Sequence, residues 1–589
     1  MGVMEESNGH SNGKRQKVHH DRLIKVMMKD QVSEHVSGTT AKDVLNGSSA
    51  VAARVDNVVV PLSVPIEGSA VRVEPIPLAS IDGIRVLVET LKFLLKIAKQ
   101  ECAPELAITI GRPIGSAYIC QLTDRKTGAV HAPTEELLSK FKSHMQSLIK
   151  SGIPMQYMTV EMQEAISNMS KTGTGFTSKM LADCNQPQVQ VVECRGFYHL
   201  PRASVMSCTD MVPTGSFNLT GFKDCFFLEH LRCDPKTGEA KLWPRFHLGS
   251  EMVYNEYLDR QQWARNVNLY TVAQLNCAIR EGRSKQVIQA VEANCDRQFV
   301  ELAAQVRARS GVKLILIAGP SASGKTTFAK RLQVQLESLG FQPEVLSVDN
   351  FYKSWQDITS EGPHKVDWES LDSLNLNQLN EVLPKLLVGE EQLIPEYDMK
   401  TSMPMDRAHW KKMQLKSEDK GVIIMEGIHC LNPALTAAVP KEKKFNIAIA
   451  PIPAMQLDAV HVLSGTTIRM MRRMVRDYLN RGRPVITTLK QWPSVMAGEV
   501  HNIYPNQVHA DAVMNSEISY EMSVLKVHVE PLLKTVKPAE REYSEARRLL
   551  ETLDQFIALP TNIIPPQSLL REFIGGSWYY DYGGWYKGY

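Results

Sequence analysis

The chain has 589 residues, which is too long for a single hydrophobic core, and its 43% hydrophobic and 22% charged residues are typical of a globular protein. A formal net charge of +3 creates no strong overall field, so composition gives no reason to expect a nucleic-acid partner. The ten cysteines include no Cys-x-x-Cys pair, which argues against a disulfide framework and predicts reduced thiols. No apolar run approaches the roughly 18–20 residues of a membrane span, and the N-terminus lacks a secretion signal. We therefore expect a cytoplasmic protein without a membrane partner.

The N-terminal half is predicted to contain a tail and one mixed domain. Residues 1–54 are rich in Ser, Gly, Asn, His and charge, and we expect a disordered tail because few large apolar side chains are available to offset the ordering entropy. Residues 55–250 predict an α+β domain, with helical patterns at 85–99 and 134–149 and strand-like runs between them.

The C-terminal half has a different pattern. Residues 251–310 predict a helical connector, and from residue 311 strands alternate with helices, which is typical of an α/β fold with a doubly wound, mainly parallel sheet. We assign this domain to residues 311–556, and we assign no function to the C-terminal extension and aromatic, glycine-rich tail at 557–589. The predicted strands are Lys313–Ala318, Glu344–Val348, Val422–Met425, Phe445–Ala450 and Asp511–Asn515.

The first of these strands runs into the segment Gly319–Thr327, which reads GPSASGKTT and is followed by an amphipathic helix. Strand, glycine-rich turn and helix in this order match a Walker A phosphate-binding loop (P-loop), whose backbone N–H groups surround phosphate oxygens. The positive end of the helix dipole adds to the attraction. We therefore predict binding of a nucleoside triphosphate through Gly319, Ser321, Ser323, Gly324, Lys325, Thr326 and Thr327.

Two carboxylates are predicted to lie beside this loop. Asp349 follows the second strand and Glu426 ends the third, and in a doubly wound sheet the carboxyl ends of the strands face the ligand crevice. A carboxylate there can accept the proton of an attacking hydroxyl or help to hold Mg²⁺. Because both acids end strands beside one phosphate loop, a functional role is favoured over a surface role for each.

A third feature is the arginine-rich segment Arg469–Pro484. Its arginines at 469, 473 and 476 are predicted to share a helical face, and Arg481 and Arg483 follow in a Gly-Pro turn. Guanidinium groups can offset the charge that spreads over a transferring phosphoryl group. We interpret the segment as a lid over the phosphates, with a solvated basic helix as the alternative.

Taken together, residues 313 to about 535 resemble the uridine kinase/phosphoribulokinase family of small-molecule kinases. The resemblance is carried by several motifs in the same order: Gly319–Thr327, Asp349–Tyr352, Val366–Trp368, Ile394–Asp398, Met425–Ile428, Arg469–Arg483 and Ala510–Val513. It implies ATP and Mg²⁺ as cofactors and a small-molecule acceptor.

The resemblance also implies roles for individual residues. Asp349 would be the catalytic base, with Lys325 and Arg481 as the other catalytic residues. Arg473 and Arg476 would contact the ATP phosphates, and Thr326 and Glu426 would serve Mg²⁺. Tyr352, Asp367 and Tyr397 match positions that line the nucleoside site in uridine–cytidine kinases. Those kinases have a base-reading histidine shortly afterwards, whereas this chain has about Ser402 at that position, which weakens uridine specificity.

Residues from about 85 to 245 resemble the second additional domain of threonyl-tRNA synthetases, as in a bacterial-type variant of the kinase family. The editing chemistry of that domain uses a His-x-x-x-His pair and a Cys-x-x-x-His pair. Here Thr109–Gly115 contains no histidine, and the spacing between Cys194 and His199 is one residue too long. We therefore expect neither editing activity nor a catalytic zinc ion in this domain.

The preferred function is ATP-dependent phosphorylation of the 5′-hydroxyl of a pyrimidine nucleoside, as in pyrimidine salvage. One alternative is a kinase for a sugar phosphate or glycerate, for which His364, Lys365, Lys400 and Arg407 offer cationic groups. An alternative of another class is a nucleotide-sensing, RNA-binding regulator. Asp349 favours an enzyme because a sensor needs no base. The acceptor, the role of residues 55–250 and a homo-oligomeric state remain open.

Overall fold

The computed structural model describes residues 23–579 except 29–30, 69, 115–116, 173–174, 183–185, 235–236, 243–248, 360 and 363–365. Residues 1–22, most of the aromatic C-terminal tail, and His364 and Lys365 therefore lie outside the described residues. None of the helices in the described ranges combines the length and apolar character needed to cross a bilayer.

The first folded unit is a small five-stranded sheet in the order β2-β1-β5-β3-β4. The prediction of a disordered tail is thus wrong for the described residues between 23 and 54. Small apolar side chains such as Ile24 and Ala53 are buried against Val71 and Val73, so much of the burial comes from residues beyond position 54. The elements are β1 (Leu23–Met28), β2 (Gln31–Val36), α1 (Ala41–Val44), β3 (Ala52–Val55), β4 (Val58–Val60) and β5 (Ala70–Ile76).

The second unit combines helices with two antiparallel sheets, as the α+β pattern predicts. One sheet has the order β12-β13-β7-β6, with β14 beside β13 and β8 beside β7, and the other has the order β11-β10-β9. Its long helix begins after Ser80, whose Oγ accepts from the Gly83 N–H at 3.0 Å. The elements are α2 (Ile81–Cys102), β6 (Leu106–Ile114), β7 (Ala117–Asp124), β8 (Val130–His131), α3 (Glu135–Lys150), β9 (Gln156–Glu161), α4 (Met162–Thr172), α5 (Gly175–Ala182), β10 (Gln188–Cys194), β11 (Phe197–His199), β12 (Phe217–Phe222), β13 (Cys225–Cys233) and β14 (Ala240–Leu242).

Three helices lie between this unit and the C-terminal sheet: α6 (Gly249–Asn266), α7 (Val272–Arg280) and α8 (Ser284–Ala308). Phe299 of α8 is buried and lies 5.3 Å, centroid to centroid, from Phe328 of the helix behind the phosphate loop. The connector is therefore packed into the C-terminal core, and it is not a free linker.

The C-terminal half is built on a five-stranded sheet, and all five predicted strands are confirmed. The order is β16-β21-β15-β22-β23, and each neighbouring pair is parallel. Helices cover both faces and two short hairpins, β17-β20 and β18-β19, lie outside the sheet. The elements up to residue 515 are β15 (Leu314–Ala318), α9 (Lys325–Ser338), β16 (Gln342–Ser347), α10 (Trp355–Ile358), α11 (Leu376–Leu387), β17 (Gln392–Ile394), β18 (Tyr397–Asp398), β19 (Met403–Pro404), β20 (Lys411–Met413), β21 (Gly421–Glu426), β22 (Lys444–Ala450), α12 (Gly465–Arg481), α13 (Val485–Gly498) and β23 (Ala512–Asn515).

The chain then ends in α14 (Glu521–Leu533), α15 (Tyr543–Leu553) and α16 (Arg571–Ile574). Leu569, Leu570 and Phe573 are buried in the same core as the sheet and α12. The extension after residue 556 is therefore an integral part of the C-terminal half as far as residue 579.

Candidate active site

The loop between β15 and α9 has the backbone geometry that phosphate binding requires. A Cβ on Gly319 would lie 2.1 Å from the Ile449 carbonyl oxygen, so only glycine fits there. Gly324 has φ +92° and serves as the N-cap of α9, and Ala322 has φ +59°. The loop and the helix behind it form a concave array of backbone N–H groups that can bind an anion.

Two side chains of the loop have polar atoms to offer a ligand. Lys325 Nζ donates to the carbonyls of Gly319 (3.0 Å) and Pro320 (3.4 Å), which are partners that an incoming phosphate can replace. The Ser323 hydroxyl is buried and forms no hydrogen bond within the described part of the chain. A buried hydroxyl without a partner is costly, so it is suited to a bound phosphate oxygen.

The two predicted carboxylates lie close to each other at the edge of the sheet. Asp349 follows β16 in a short 3₁₀ turn, and Glu426 is the last residue of β21. Ser347 Oγ donates to Glu426 Oε1 at 2.7 Å, and burial together with the negative charge of Asp349 raises the pKa of Glu426 to about 7. A bound cation would reduce the electrostatic repulsion between these two carboxylates. The Mg²⁺ that the sequence implies for Thr326 and Glu426 would have this effect.

Four arginines line the opposite wall: Arg473 and Arg476 from α12, and Arg481 and Arg483 at its end. Asp477 accepts salt bridges from the first three and is itself buried. Because a single carboxylate serves several arginines, their mutual repulsion and burial lower the pKa of Arg481 to about 9. This group of guanidinium side chains is suited to a polyanion such as the phosphates of ATP.

The structure differs from the lid interpretation of this segment. Arg469 is buried beneath the loop, where its Nη2 contacts Glu499 Oε2 at 2.7 Å and its Nη1 donates to the Ser321 carbonyl at 3.1 Å. Ile468, Met471, Met474 and Val475 on the other faces of α12 are also buried. The helix is therefore a packed wall of the site, because its apolar side chains are part of the core.

Aromatic side chains form the far end of the cleft. The rings of Tyr352, Trp368 and Tyr397 lie 5.6–6.4 Å apart, centroid to centroid, mostly in edge-on arrangements. Tyr352 Oη donates to the Trp368 carbonyl at 3.2 Å, which fixes the orientation of the ring. Ser402, with φ +58°, lies at the same end of the cleft. Such a set of rings can hold a flat apolar ligand face beside Asp349.

One cleft of about 160 Å³ joins the loop, the acids, the arginines and the aromatic rings. Of the residues predicted from the sequence, it brings together Ser321, Ser323, Gly324, Lys325, Thr326, Asp349, Tyr352, Tyr397, Glu426, Arg473, Arg476 and Arg481. Gly319 and the buried Thr327 belong to the loop but lie beneath the cleft surface. Asp367 does not line the cleft, because it is exposed and caps its own turn by accepting from the Glu369 N–H at 3.2 Å.

Three polar or aromatic lining residues were not predicted, namely Trp368, Glu369 and Glu572, whereas Arg483 belongs to the arginine-rich segment noted from the sequence. Glu572 comes from the C-terminal extension, and its Oε2 accepts from the Thr327 N–H at 3.0 Å. Nothing in the local sequence around Glu572 indicates this contact with a loop about 245 positions earlier. Trp368 follows Asp367 in a motif already noted, so its aromatic ring could have been assigned to the cleft.

Comparison with known proteins finds similarity in the part of the chain that contains the phosphate loop. Residues 314–520 match the model of the Phosphoribulokinase / Uridine kinase family. The chain is 28% identical over 228 residues to a uridine kinase of Vibrio atlanticus, covering 38% of this chain and 96% of the relative. It is 26% identical over 207 residues to a uridine kinase of Macrococcus caseolyticus, covering 35% and 88%.

Two solved structures are also similar to this chain. One, described as a "Possible Uridine Kinase" from Bacillus stearothermophilus, has a TM-score of 0.26 and 18% identity and covers 37% of this chain and 98% of that one. The other is a D-glycerate 3-kinase from Cryptococcus neoformans, with a TM-score of 0.21, 15% identity and coverage of 48% and 87%. Residues 314–520 therefore match the model of this kinase family, and they contain the phosphate loop and the parallel sheet described above.

Proposed function

We propose that the protein transfers a phosphoryl group from ATP to the 5′-hydroxyl of a pyrimidine nucleoside. The observation that carries this proposal is the position of the three aromatic rings of Tyr352, Trp368 and Tyr397 in the same cleft as Asp349 and the phosphate loop. A planar base and a ribose suit such rings, whereas the loop and the arginines suit a triphosphate.

The proposed roles follow from charge and position. Asp349 accepts the proton of the acceptor hydroxyl as that oxygen attacks the γ-phosphorus, and the bond from the γ-phosphorus to the bridging oxygen of ADP breaks. Lys325, Arg473, Arg476 and Arg481 offset the charge on the phosphate oxygens. When bound, Mg²⁺ would neutralise part of the triphosphate charge, and Thr326 and Glu426 are the residues suited to hold it.

The base preference is expected to be weak. Ser402, which has a small side chain, lies at the aromatic end where related kinases have a base-reading histidine. A hydroxyl can bond to either pyrimidine edge, so it discriminates less than a fixed imidazole does. We expect uridine and cytidine to be accepted with similar kcat/KM.

A second candidate is a kinase for a sugar phosphate or glycerate, and the observation in its favour is the surplus of arginines. Arg483 lies in the cleft, and its Nη2 donates only to the Met399 carbonyl (3.2 Å) among the hydrogen bonds of the described residues. It could bind a second phosphate or a carboxylate. By contrast, Lys400 and Arg407, which the sequence offered for this purpose, are exposed and do not line the cleft.

Steady-state kinetics with a coupled ADP assay separate these candidates. The substrates are uridine, cytidine, ribulose 5-phosphate and glycerate, each with ATP and Mg²⁺. The proposal predicts the highest kcat/KM for the two nucleosides. A higher kcat/KM for ribulose 5-phosphate or glycerate than for both nucleosides would replace the proposal by the second candidate.

A further inference from the structure

Outside the cleft, three buried side chains converge on one point between the two halves of the molecule. Glu89 lies on α2, His199 ends β11, and His461 lies between β22 and α12. The Nε2 atoms of His199 and His461 lie 2.9 and 2.7 Å from Glu89 Oε1, and the three atoms are all within 4.8 Å of one another. We call these residues, with Asp458, the junction cluster.

The junction cluster is closed to solvent. Glu89, His199 and His461 are 4%, 0% and 5% exposed. Removing a carboxylate and two imidazoles from water is costly unless strong partners replace the solvent. The three groups hydrogen-bond to one another, and their nitrogen and oxygen donors are of the types that bind a divalent cation.

Neighbouring groups orient the imidazoles toward Glu89. Asp458 Oδ2 lies 2.7 Å from His461 Nδ1, and Asp458 is itself fixed by the N–H groups of Val460 and His461 at 2.9 and 3.0 Å. The ring of His199 stacks on Phe93 at 4.9 Å. A carboxylate on the far nitrogen of a histidine is the usual support for a metal-binding imidazole.

The cluster exists only when the two halves of the molecule are docked. Ala459 and Val460 are buried in the core of the α+β unit, and the Ile110 N–H donates to the Ala459 carbonyl at 3.0 Å. His461 is held in the same segment, three residues before Ser464, which caps α12. A ligand bound at His461 would therefore also restrain the position of the N-terminus of α12, the helix that carries Arg473 and Arg476 of the cleft.

We propose that Glu89, His199 and His461 bind one zinc ion through Oε1, Nε2 and Nε2. Two histidines and one glutamate are a known donor set for zinc, and imidazole and carboxylate match its borderline softness. Ligand atoms about 2.0–2.1 Å from a tetrahedral zinc lie roughly 3.3 Å apart, so the side chains need to separate by about half an ångström. On binding, His461 releases its Nε2 proton to solvent and keeps its Nδ1 proton toward Asp458, and neutral His199 carries its single proton on Nδ1. The charges of Glu89 and Asp458 then balance the dication.

The surroundings of the cluster include a small cavity on the side of His461. A cavity of about 110 Å³ adjoins His461, and its polar lining includes Arg202, Ser464, Thr467 and Arg548. The nearby cations are Arg202, whose Nε lies 3.6 Å from Asp458, and Lys96, whose Nζ donates to the Tyr198 carbonyl at 2.8 Å. The zinc ion would have ligands from both halves of the molecule and would help to hold the two halves together.

The test is metal analysis of the untagged, full-length protein. After equilibration with Zn²⁺ in excess Mg²⁺, which occupies the acidic site of the cleft, and removal of free ions, we expect one zinc per chain. Substituted Co²⁺ should give the visible absorption of a tetrahedral nitrogen–oxygen site. His199→Gln and His461→Gln should each lose the zinc and the cobalt absorption. His230→Gln changes another buried histidine of the α+β unit and should keep both.

A wild-type protein without stoichiometric zinc and without the cobalt absorption would overturn the proposal. So would zinc that persists in both His199→Gln and His461→Gln. If either variant fails to fold, a Zn²⁺ titration of the wild-type melting temperature decides, because binding to the folded state alone raises Tm by several degrees. No rise in Tm with saturating Zn²⁺ would contradict the site.

Discussion

The cleft and the junction cluster both gather charged side chains, yet they do so in opposite ways. In the cleft, Lys325 and four arginines face a space of about 160 Å³ that several carboxylates also line, and Asp477 pairs with three of the arginines. In the junction cluster, Glu89 accepts from two histidines and from the Arg202 N–H, and the groups leave almost no space between them.

This difference suits the cleft to the binding and release of a ligand, and it suits the cluster to holding its own groups permanently in place. An open cleft lined by cationic side chains can take up and release a polyanion, because solvent screens the charges when the ligand leaves. A closed cluster loses most of its stabilisation when one member is removed, because the others stay buried. We therefore expect cleft variants to change catalysis more than stability, and cluster variants to change stability more than catalysis.

The largest effect is expected for Asp349→Asn. Loss of the base should lower kcat by about 10²–10⁴-fold and leave ATP affinity and the free energy of unfolding close to wild type. Steady-state kinetics, nucleotide titration and urea unfolding measure the three quantities. Asp367→Asn is the matched control, since Asp367 is exposed outside the cleft and should keep nearly full kcat. A rate for Asp349→Asn above about a tenth of wild type would remove Asp349 from its role.

The corresponding change in the cluster is Glu89→Ala, measured with EDTA present so that no metal contributes. Two imidazole nitrogens and the Arg202 N–H lose their shared acceptor in a buried place, and we expect a loss of about 3 kcal/mol in the free energy of unfolding. Denaturant unfolding of the full chain provides the value. Glu337→Ala, at an exposed position of α9, should stay close to wild type. A Glu89→Ala protein as stable as wild type would contradict the expectation that variants of the cluster lower stability.

The pH dependence of stability gives a further test of the comparison, and the residue concerned is Glu369 of the cleft. Burial and the negative charge of Glu499 raise the pKa of Glu369 from 4.5 to about 7 in the folded protein. Between these values the folded state holds a proton that the unfolded state has lost, so the contribution of Glu369 to stability falls as pH rises from about 4.5 to 7. We expect Glu369→Gln to exceed wild type by about 1–2 kcal/mol at pH 8, with the difference shrinking below pH 5.

Urea unfolding of both proteins at pH 5 and pH 8 measures this difference, and Glu337→Gln at an exposed position serves as the control. A Glu369→Gln variant whose advantage does not grow between the two pH values would show that Glu369 is not the titrating group.

The smallest effect is expected for Glu572→Gln. The amide still accepts from the Thr327 N–H, but a negative charge beside the phosphate loop is gone, so we expect ATP to bind about 3–10-fold more tightly. Titration with a fluorescent ATP analogue measures the change, with Glu551→Gln, outside the cleft, as the control. Weaker ATP binding in Glu572→Gln would mean that its charge supports the loop and does not oppose the nucleotide.

The sequence predicts best those residues of the cleft whose position in the chain, at or just after the end of a strand, also places them at the site. Asp349 comes two residues after β16 and Glu426 is the last residue of β21, and parallel strands bring such positions to one edge of the sheet. Most of the five strands are largely apolar, whereas β16 is more polar, and the bounds of all five could be predicted to within a few residues.

The parts that the sequence missed depend on contacts between distant segments. Residues 23–54 fold because β1 and β3 pair with β5, which lies outside the segment judged by its composition. Glu572 reaches the loop from the far end of the chain, and His461 meets Glu89 across 372 positions. Neither pairing has a local sequence pattern, so neither could be predicted from the spacing of residues along the chain.

The central claim is that the cleft transfers phosphate to a nucleoside, and analysis of the products tests it most directly. Wild-type protein, ATP, Mg²⁺ and uridine are incubated, and the products are identified by ³¹P NMR and mass spectrometry. The account predicts uridine 5′-monophosphate and ADP in equal amounts, with formation abolished in Asp349→Asn. ATP that stays intact, or ADP formed together with free phosphate and unmodified uridine, would contradict it.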